Sequence, residues 1–265
     1  MLTKQQHSVI RIVYGPVASW RLGKSLGIDL VSTAGKTCSF DCLYCQLGRT
    51  AHLTAQRRHF VTLETLTSEL KRIGRAAVDY ATFSGMGEPT LASNLGEAIE
   101  LARRTLGVPV AVLTNSSLMP QKPVRSQLAM ADFVVAKLDA PTEEVFHQVN
   151  RPVTRYSLHE IVEGIRLFRS PYKGKLALQM MFIKQNRPWA LQMARLAMEL
   201  SPDEVQINTP LRECSVDPLP PEDIAAIKDD FKALGNVVTV YEARRPQVVP
   251  LNAGETLRRR PGEKP

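Results

Sequence analysis

The sequence predicts an α/β fold, a partial (β/α)6 TIM-type barrel in which parallel strands are wrapped by outer helices. Two observations lead there. Short, β-branched apolar runs recur with helical patterns between them, the alternation that βαβ units produce. The chemically distinctive segments also follow the ends of the first two of those runs, on the rim where α/β barrels carry their active sites.

Six strands are expected, at 27–33 (GIDLVST), 78–84 (VDYATFS), 109–114 (PVAVLT), 133–138 (FVVAKL), 176–183 (LALQMMFI) and 204–208 (EVQIN), with a seventh at 236–241 (NVVTVY). Among the helices, Asn94 with Glu97 and Ser157 with Glu160 have the capping-box spacing, in which each side chain satisfies an otherwise orphaned backbone amide. Pro188 suits a first helical position before WALQMARLAMEL, and Pro220 and Pro221 precede EDIAAIKDDFKAL, which Gly235 is placed to terminate. One domain over 1–243 is expected for a chain of 265 residues, with 244–265, rich in Arg and Pro and lacking apolar periodicity, read as a basic, flexible tail.

Composition excludes several classes. Apolar stretches such as 132–136 and 176–183 are broken well before the roughly 18 residues of a membrane span, so no membrane partner is expected. Gln5, Gln6, His7 and Arg11 occupy the stretch where a secretory signal needs a continuous apolar core, which points to a cytoplasmic protein. Of the four cysteines three fall within eight residues, a layout suited to metal or redox chemistry rather than to a disulfide framework. The net charge is +8, and residues 1–60 hold Lys4, Arg11, Arg21, Lys24, Lys36, Arg49, Arg57 and Arg58 against only Asp29 and Asp41. A field of that kind attracts RNA, a nucleotide or another anionic substrate, although solvated surface cations account for many such sequences.

The long insertion between the first two expected strands, 34–61, contains the loop 34–50 with Cys38-Ser-Phe-Asp-Cys42-Leu-Tyr-Cys45. Three thiolates so spaced can wrap one face of an iron–sulfur cubane. Because such a cluster normally takes four cysteines, three leave one iron open to a cofactor or substrate. The alternatives are a zinc site completed by Cys214 or His52, within a non-catalytic nucleic-acid-binding module, and plain packing of the thiols.

The Cys-x3-Cys-x2-Cys spacing with an aromatic residue, Tyr44, before the last cysteine resembles the signature of the radical S-adenosylmethionine (SAM) superfamily. More narrowly, residues 14–49 resemble the branch related to wyosine-type tRNA-modifying enzymes. The resemblance implies that Cys38, Cys42 and Cys45 hold a 4Fe-4S cluster whose open iron chelates SAM. It further implies an electron donor such as flavodoxin or ferredoxin, and reductive cleavage of SAM to a 5′-deoxyadenosyl radical that abstracts hydrogen from substrate. The segment Ser84-Gly-Met-Gly-Glu-Pro-Thr90 resembles the family's Gly-Gly-Glu-Pro element, with Met86 in place of the first glycine. That implies close backbone approach at Gly87 to the methionine end of SAM, and Glu88 as acceptor for its amino group. Asn115, Asp139, Gln179 and Asn208, at or after the later strands, are further SAM-contact candidates by position, and Tyr44 joins them. Lys137 and Asp139 share a strand face and equally suit a structural ion pair. Cys214 is either a small packing residue or a group facing the substrate.

Overall fold

The computed structural model describes residues 11–74 and 77–262. The first ten residues, on which the expectation of no secretory signal partly rests, lie outside that range.

Eight strands form one sheet. In spatial order they are β1 (Val13–Ser19), β2 (Gly23–Ile28), β5 (Tyr80–Phe83), β6 (Val110–Thr114), β7 (Phe133–Lys137), β8 (Lys175–Met181), β9 (Glu204–Asn208) and β10 (Val237–Thr239), while β3 (Thr37–Cys38) and β4 (His52–Leu53) make a separate two-stranded ribbon. From β2 onward every pairing is parallel, and only β1 runs antiparallel to β2. The sheet is curled and flanked by α1 (Leu63–Ile73), α2 (Leu95–Leu106), α3 (Lys122–Leu128), α4 (Glu143–Asn150), α5 (Leu158–Arg169), α6 (Ala190–Leu200) and α7 (Pro221–Asp230). This is the expected partial barrel.

The two faces of the sheet divide the labour. Val110, Val112, Val134, Ala136, Leu176 and Leu178 pack with the apolar stripes of the helices in one large core. The alternate positions, Ala111, Phe133, Val135 and Ala177, form a smaller cluster with Leu22 on the face away from the helices. Because side chains alternate along a strand, the next residues on that second face are Lys137 and Gln179, which are register partners, and then Gln206 beside Gln179. The helix-free face is therefore apolar at its base and polar at its C-terminal rim.

Several expected elements differ. β2 begins earlier and ends at Ile28 rather than running to residue 33. β1 has no counterpart among the expected strands, because Gly15-Pro16 disqualifies a central strand; an edge strand tolerates proline, and a register shift lies between Tyr14 and Val17. Its Tyr14 ring fills the space over Gly27, where an added Cβ would lie 2.1 Å from a ring carbon. Ser157 and Glu160 do form a capping box. Asn94 does not: it is the N-cap of α2 without a side-chain cap, and its Nδ2 instead donates to the Val61 carbonyl at 2.9 Å. Pro188 lies within a short 3-10 turn (Arg187–Trp189) ahead of α6, and α7 ends at Asp230 with Phe231 as its C-cap, short of Gly235.

The larger correction concerns the described part of the expected tail, 244–262. In place of an extended tail, α8 (Ala253–Arg259) docks beside β1, with Asn252 capping it through the Glu255 N–H at 3.0 Å. Apolar periodicity is weak because one buried ion pair holds it: Arg259 Nε lies 2.9 Å from Asp29 Oδ2, with both side chains almost wholly buried. Arg259 also donates to the Arg11 carbonyl at 2.5 Å and to Ser32 Oγ at 3.1 Å, and Arg258 donates to the Thr33 carbonyl at 3.0 Å. Replacing Arg259 by Met should destabilise the fold by about 3–5 kcal/mol in urea titration, because Asp29 is left buried and unpaired. Asp29→Asn in the same chain should restore part of that loss. A single variant within ~0.5 kcal/mol of wild type would show that the helix is not held by this pair.

Candidate functional site

The insertion after β2 is fixed by backbone pairing to two neighbours. On one side Thr37 bridges Gly87: Thr37 N–H donates to the Met86 carbonyl at 2.9 Å, and Glu88 N–H donates to the Thr37 carbonyl at 3.2 Å. On the other, Asp41 N–H donates to the Asn150 carbonyl at 3.1 Å and Leu43 N–H to the Val149 carbonyl at 3.0 Å, at the end of α4. Between these anchors the chain turns twice, with Cys45 N–H bonded to the Cys42 carbonyl and Gly48 N–H to the Cys45 carbonyl. The loop is closed by Asp41, whose carboxylate accepts from Thr50 N–H at 2.7 Å.

Cys38 is buried, and Cys42 and Cys45 are half-buried. Two of the three sulfurs accept an amide N–H, from Asn115 Nδ2 to Cys38 and from Asn150 Nδ2 to Cys42, each at 3.5 Å. Burial pushes the Cys38 thiol up to about 12, with the Glu88 carboxylate adding to the shift, and burial likewise pushes Cys42 up to about 11. Lys36 is buried in the same loop, its Nζ donating to the Gly48 carbonyl at 3.2 Å. Burial works against its charge, but the facing Cys45 and Cys38 raise its pKa overall.

Glu88 is buried in the turn after β5, with its carboxylate against the end of β6. Its Oε1 accepts from Thr90 N–H at 3.0 Å, Thr90 Oγ1 at 2.6 Å and Thr114 Oγ1 at 2.6 Å, and its Oε2 accepts from Asn115 N–H at 2.6 Å. The carboxylate thus orients the residue that reaches Cys38. Burial raises its pKa, opposed by the donors around it. Gly87 is required by the loop itself, since a Cβ there would sit 1.7 Å from the Thr37 carbonyl oxygen. Close approach to the cysteine segment is therefore a reason for the glycine that the sequence does not reveal.

Tyr44 and Asp139 belong to a buried polar network: the Tyr44 hydroxyl donates to Asp139 Oδ2, which also accepts from Asn150 Nδ2 at 2.9 Å, while Asp139 Oδ1 accepts from Met181 N–H at 2.8 Å. Lys137 lies 3.8 Å from Asp139 and 4.5 Å from the centre of the Tyr44 ring, so the structural ion pair is present. Burial, with Asp139 alongside, holds the Tyr44 hydroxyl well above its usual range. Asn115, Asp139 and Tyr44 thus gather around the cysteines. Gln179 and Asn208 stand apart, lining a polar cavity of about 400 Å³ on the same rim. Cys214 shares a cavity of about 590 Å³ with Cys42 and Cys45, its thiol donating to the Val216 carbonyl at 3.1 Å.

Asn150 and Lys36 make contacts around the cysteines that sequence reasoning missed. Asn150 lies at a helix end with no motif around it, and Lys36 is one cation among many until burial singles it out. Among the described residues no three His, Cys, Asp or Glu side chains converge on one ion, and His52 is exposed.

The radical SAM superfamily model matches residues 33–197, and the chain belongs to that superfamily. It is a radical SAM-type enzyme, and its cofactors are a 4Fe-4S cluster and SAM, which sets aside the zinc-stabilised binding module; such enzymes need a reductant. More particularly, the chain is 41% identical over 204 residues to a UPF0026 protein of Synechocystis, covering 76% of each. Among solved structures it resembles a radical SAM methyltransferase from Sphaerobacter thermophilus (TM-score 0.60, 18% identity, 82% of this chain and 66% of that one). It also resembles archaeal TYW1 (TM-score 0.56, 14% identity, 80% of this chain and 72% of that one). Both likenesses are of fold, and they do not single out the tRNA-modifying branch. No helix among the described residues is long and apolar enough to cross a membrane.

The donor set suits an iron–sulfur cluster: three soft sulfur ligands on one loop, two with amide partners, and a buried cation beside them. Two expectations follow. Gly87→Ala should cost most of the iron bound per chain after anaerobic reconstitution, measured by iron assay beside circular dichroism, because Thr37 must move away. In the metal-free protein, alkylation of Cys38 should rise about tenfold per pH unit from pH 8 until near its raised pKa, since only the thiolate reacts. Mass spectrometry of the alkylated peptide would show the rise levelling off by about pH 10 if the thiol were not shifted.

Proposed function

We propose that Cys38, Cys42 and Cys45 ligate the 4Fe-4S cluster, and that SAM binds on the rim between them and the polar residues of the later strands. The observation that carries this reading is that all three thiols lie on one loop, Cys38 to Cys45, pinned by backbone pairing to Gly87 and to the end of α4. When bound, the cluster supplies one electron to the sulfonium of SAM, giving methionine and a 5′-deoxyadenosyl radical that takes a hydrogen atom from substrate.

The protein's own share is orientation and electrostatics. The Asn115 and Asn150 amides fix two sulfurs and draw off part of their charge, as hydrogen bonds to cluster sulfurs do. Lys36 supplies a compensating positive charge from within the loop. Glu88 holds Asn115 in place and keeps lone-pair capacity on Oε2 for the amino group of SAM. Gln179, whose Nε2 is buried without a partner, and Asn208 are assigned to the nucleoside part. Tyr44 and Asp139 act as positioning residues through Asn150. A one-electron donor such as flavodoxin or ferredoxin is assigned to the side where Arg49 and Arg151 line the cavity beside Cys42 and Cys45. The substrate is anionic, with RNA a candidate on the basic charge of the N-terminal third.

Anaerobically reconstituted protein, reduced with dithionite, should convert SAM to 5′-deoxyadenosine, followed by chromatography with mass detection. Cys42→Ala should bring that to the level of the protein-free control. Wild-type turnover in the variant would place the chemistry elsewhere.

A further inference from the structure

The curled sheet ends in two edge strands, β1 and β10, and after β10 the chain crosses the open side of the barrel from one to the other. The crossing span, residues 244–250, has no regular structure, and among the described residues no hydrogen bond joins it to the rest of the molecule. Its ends are fixed. On the β10 side Ala243 N–H donates to the Thr239 carbonyl at 3.2 Å, and the Glu242 carboxylate accepts from Lys228 at 2.9 Å and from Thr239 Oγ1 at 3.0 Å. On the β1 side Leu251 N–H donates to the Gly15 carbonyl at 2.6 Å, Asn252 bridges Gly15, and Gly15 N–H donates to Thr256 Oγ1 at 3.0 Å.

The span covers space rather than packed core. Beneath it lies a cavity of about 700 Å³, walled by Val17 and Ala18 of β1, Val248 of the span and Leu257 of α8, while Val249 is 86% exposed to water. Arg245 lines both this cavity and the rim cavity of Gln179 and Asn208, so outward movement of the span opens the rim cavity sideways, between β1 and β10. Pro246 and Pro250 stiffen the crossing by fixing φ, which reduces the conformations open to it between its anchors. Firm ends and a middle without hydrogen bonds are what a lid needs in order to open locally while the fold stays intact.

We propose that residues 244–250 are a gate on the open side of the barrel, swinging outward between Ala243 and Leu251 to pass SAM into and out of the rim cavity. The inference rests on the placement of SAM proposed above. A gate changes rates and leaves the end states alone, so its mark is a parallel change in association and dissociation at constant affinity.

The test follows uptake of labelled SAM by the anaerobically reconstituted full chain, and its chase by unlabelled SAM, in wild type and in the double variant Pro246→Gly, Pro250→Gly. Losing both prolines should raise both rate constants about fivefold and leave Kd within roughly twofold. Pro171→Gly, exposed between α5 and β8, should leave both rates unchanged. Unchanged rates in the double variant, or a change in Kd carried by one rate alone, would overturn the proposal. Should the double variant fail to fold, alkylation of the thiols introduced by Val17→Cys and Val61→Cys in separate chains gives the answer, since both positions are 7% exposed and only Val17 lies beneath the span. Iodoacetamide should modify the first at least about tenfold faster, read by mass spectrometry of the peptides, and equal rates would overturn the gate. SAM cleaved to 5′-deoxyadenosine with rates unmoved by the double variant removes only the gate, whereas a chain that takes up no SAM fails the function proposed above.

Discussion

Thr37 and Gly87 pair backbone to backbone with no room for a side chain, a Cβ on Gly87 falling 1.7 Å from the Thr37 oxygen. That approach sets the distance between the cysteine loop and the turn carrying Glu88. Glu88 then orients Asn115 through its backbone N–H, and Asn115 reaches back to Cys38. A closed circuit of short contacts thus runs from the loop to the ends of β5 and β6 and back. Each member is held by the next, so the sulfurs are oriented by the sheet rather than by the loop alone.

The circuit is braced from outside by Asp29. Its Oδ2 accepts both Met86 N–H, in the same turn, and Arg259, while its Oδ1 accepts Val31 N–H at the start of the insertion. Asp29 therefore joins the C-terminal helix to both motifs. Burying this pair is costly, and the cost is offset because the remaining donors of Arg259 find the Glu255 carboxylate, the Arg11 carbonyl and Ser32. The same helix brings Arg260 to the rim cavity that Gln179 and Asn208 line.

Much of this was legible in the chain. The cysteine spacing and the Gly-Glu-Pro element identify the superfamily, and the βα alternation gives the parallel sheet, because period-two and 3.6-residue patterns are written locally. Ser157 with Glu160 shows a local rule holding, and Asn94 shows one overridden by a tertiary acceptor, the Val61 carbonyl. Lys137 and Asp139 were placed on one face by strand parity alone, and they do pair.

What the sequence determined by itself was the chemistry: three thiols at loop spacing, a turn that contains glycine, and polar residues at strand ends. Tertiary structure alone decided the company they keep. Asn150 reaches Cys42 across 108 positions of chain, Arg259 reaches Asp29 across 230, and Arg21, Arg212, Arg245 and Arg260 come to line the rim cavity from segments with no shared pattern. The reason is physical: motifs of spacing record contacts between near neighbours. A buried charge or a single amide gains its role from the side chains that folding brings to it, and nothing in its own neighbourhood encodes them.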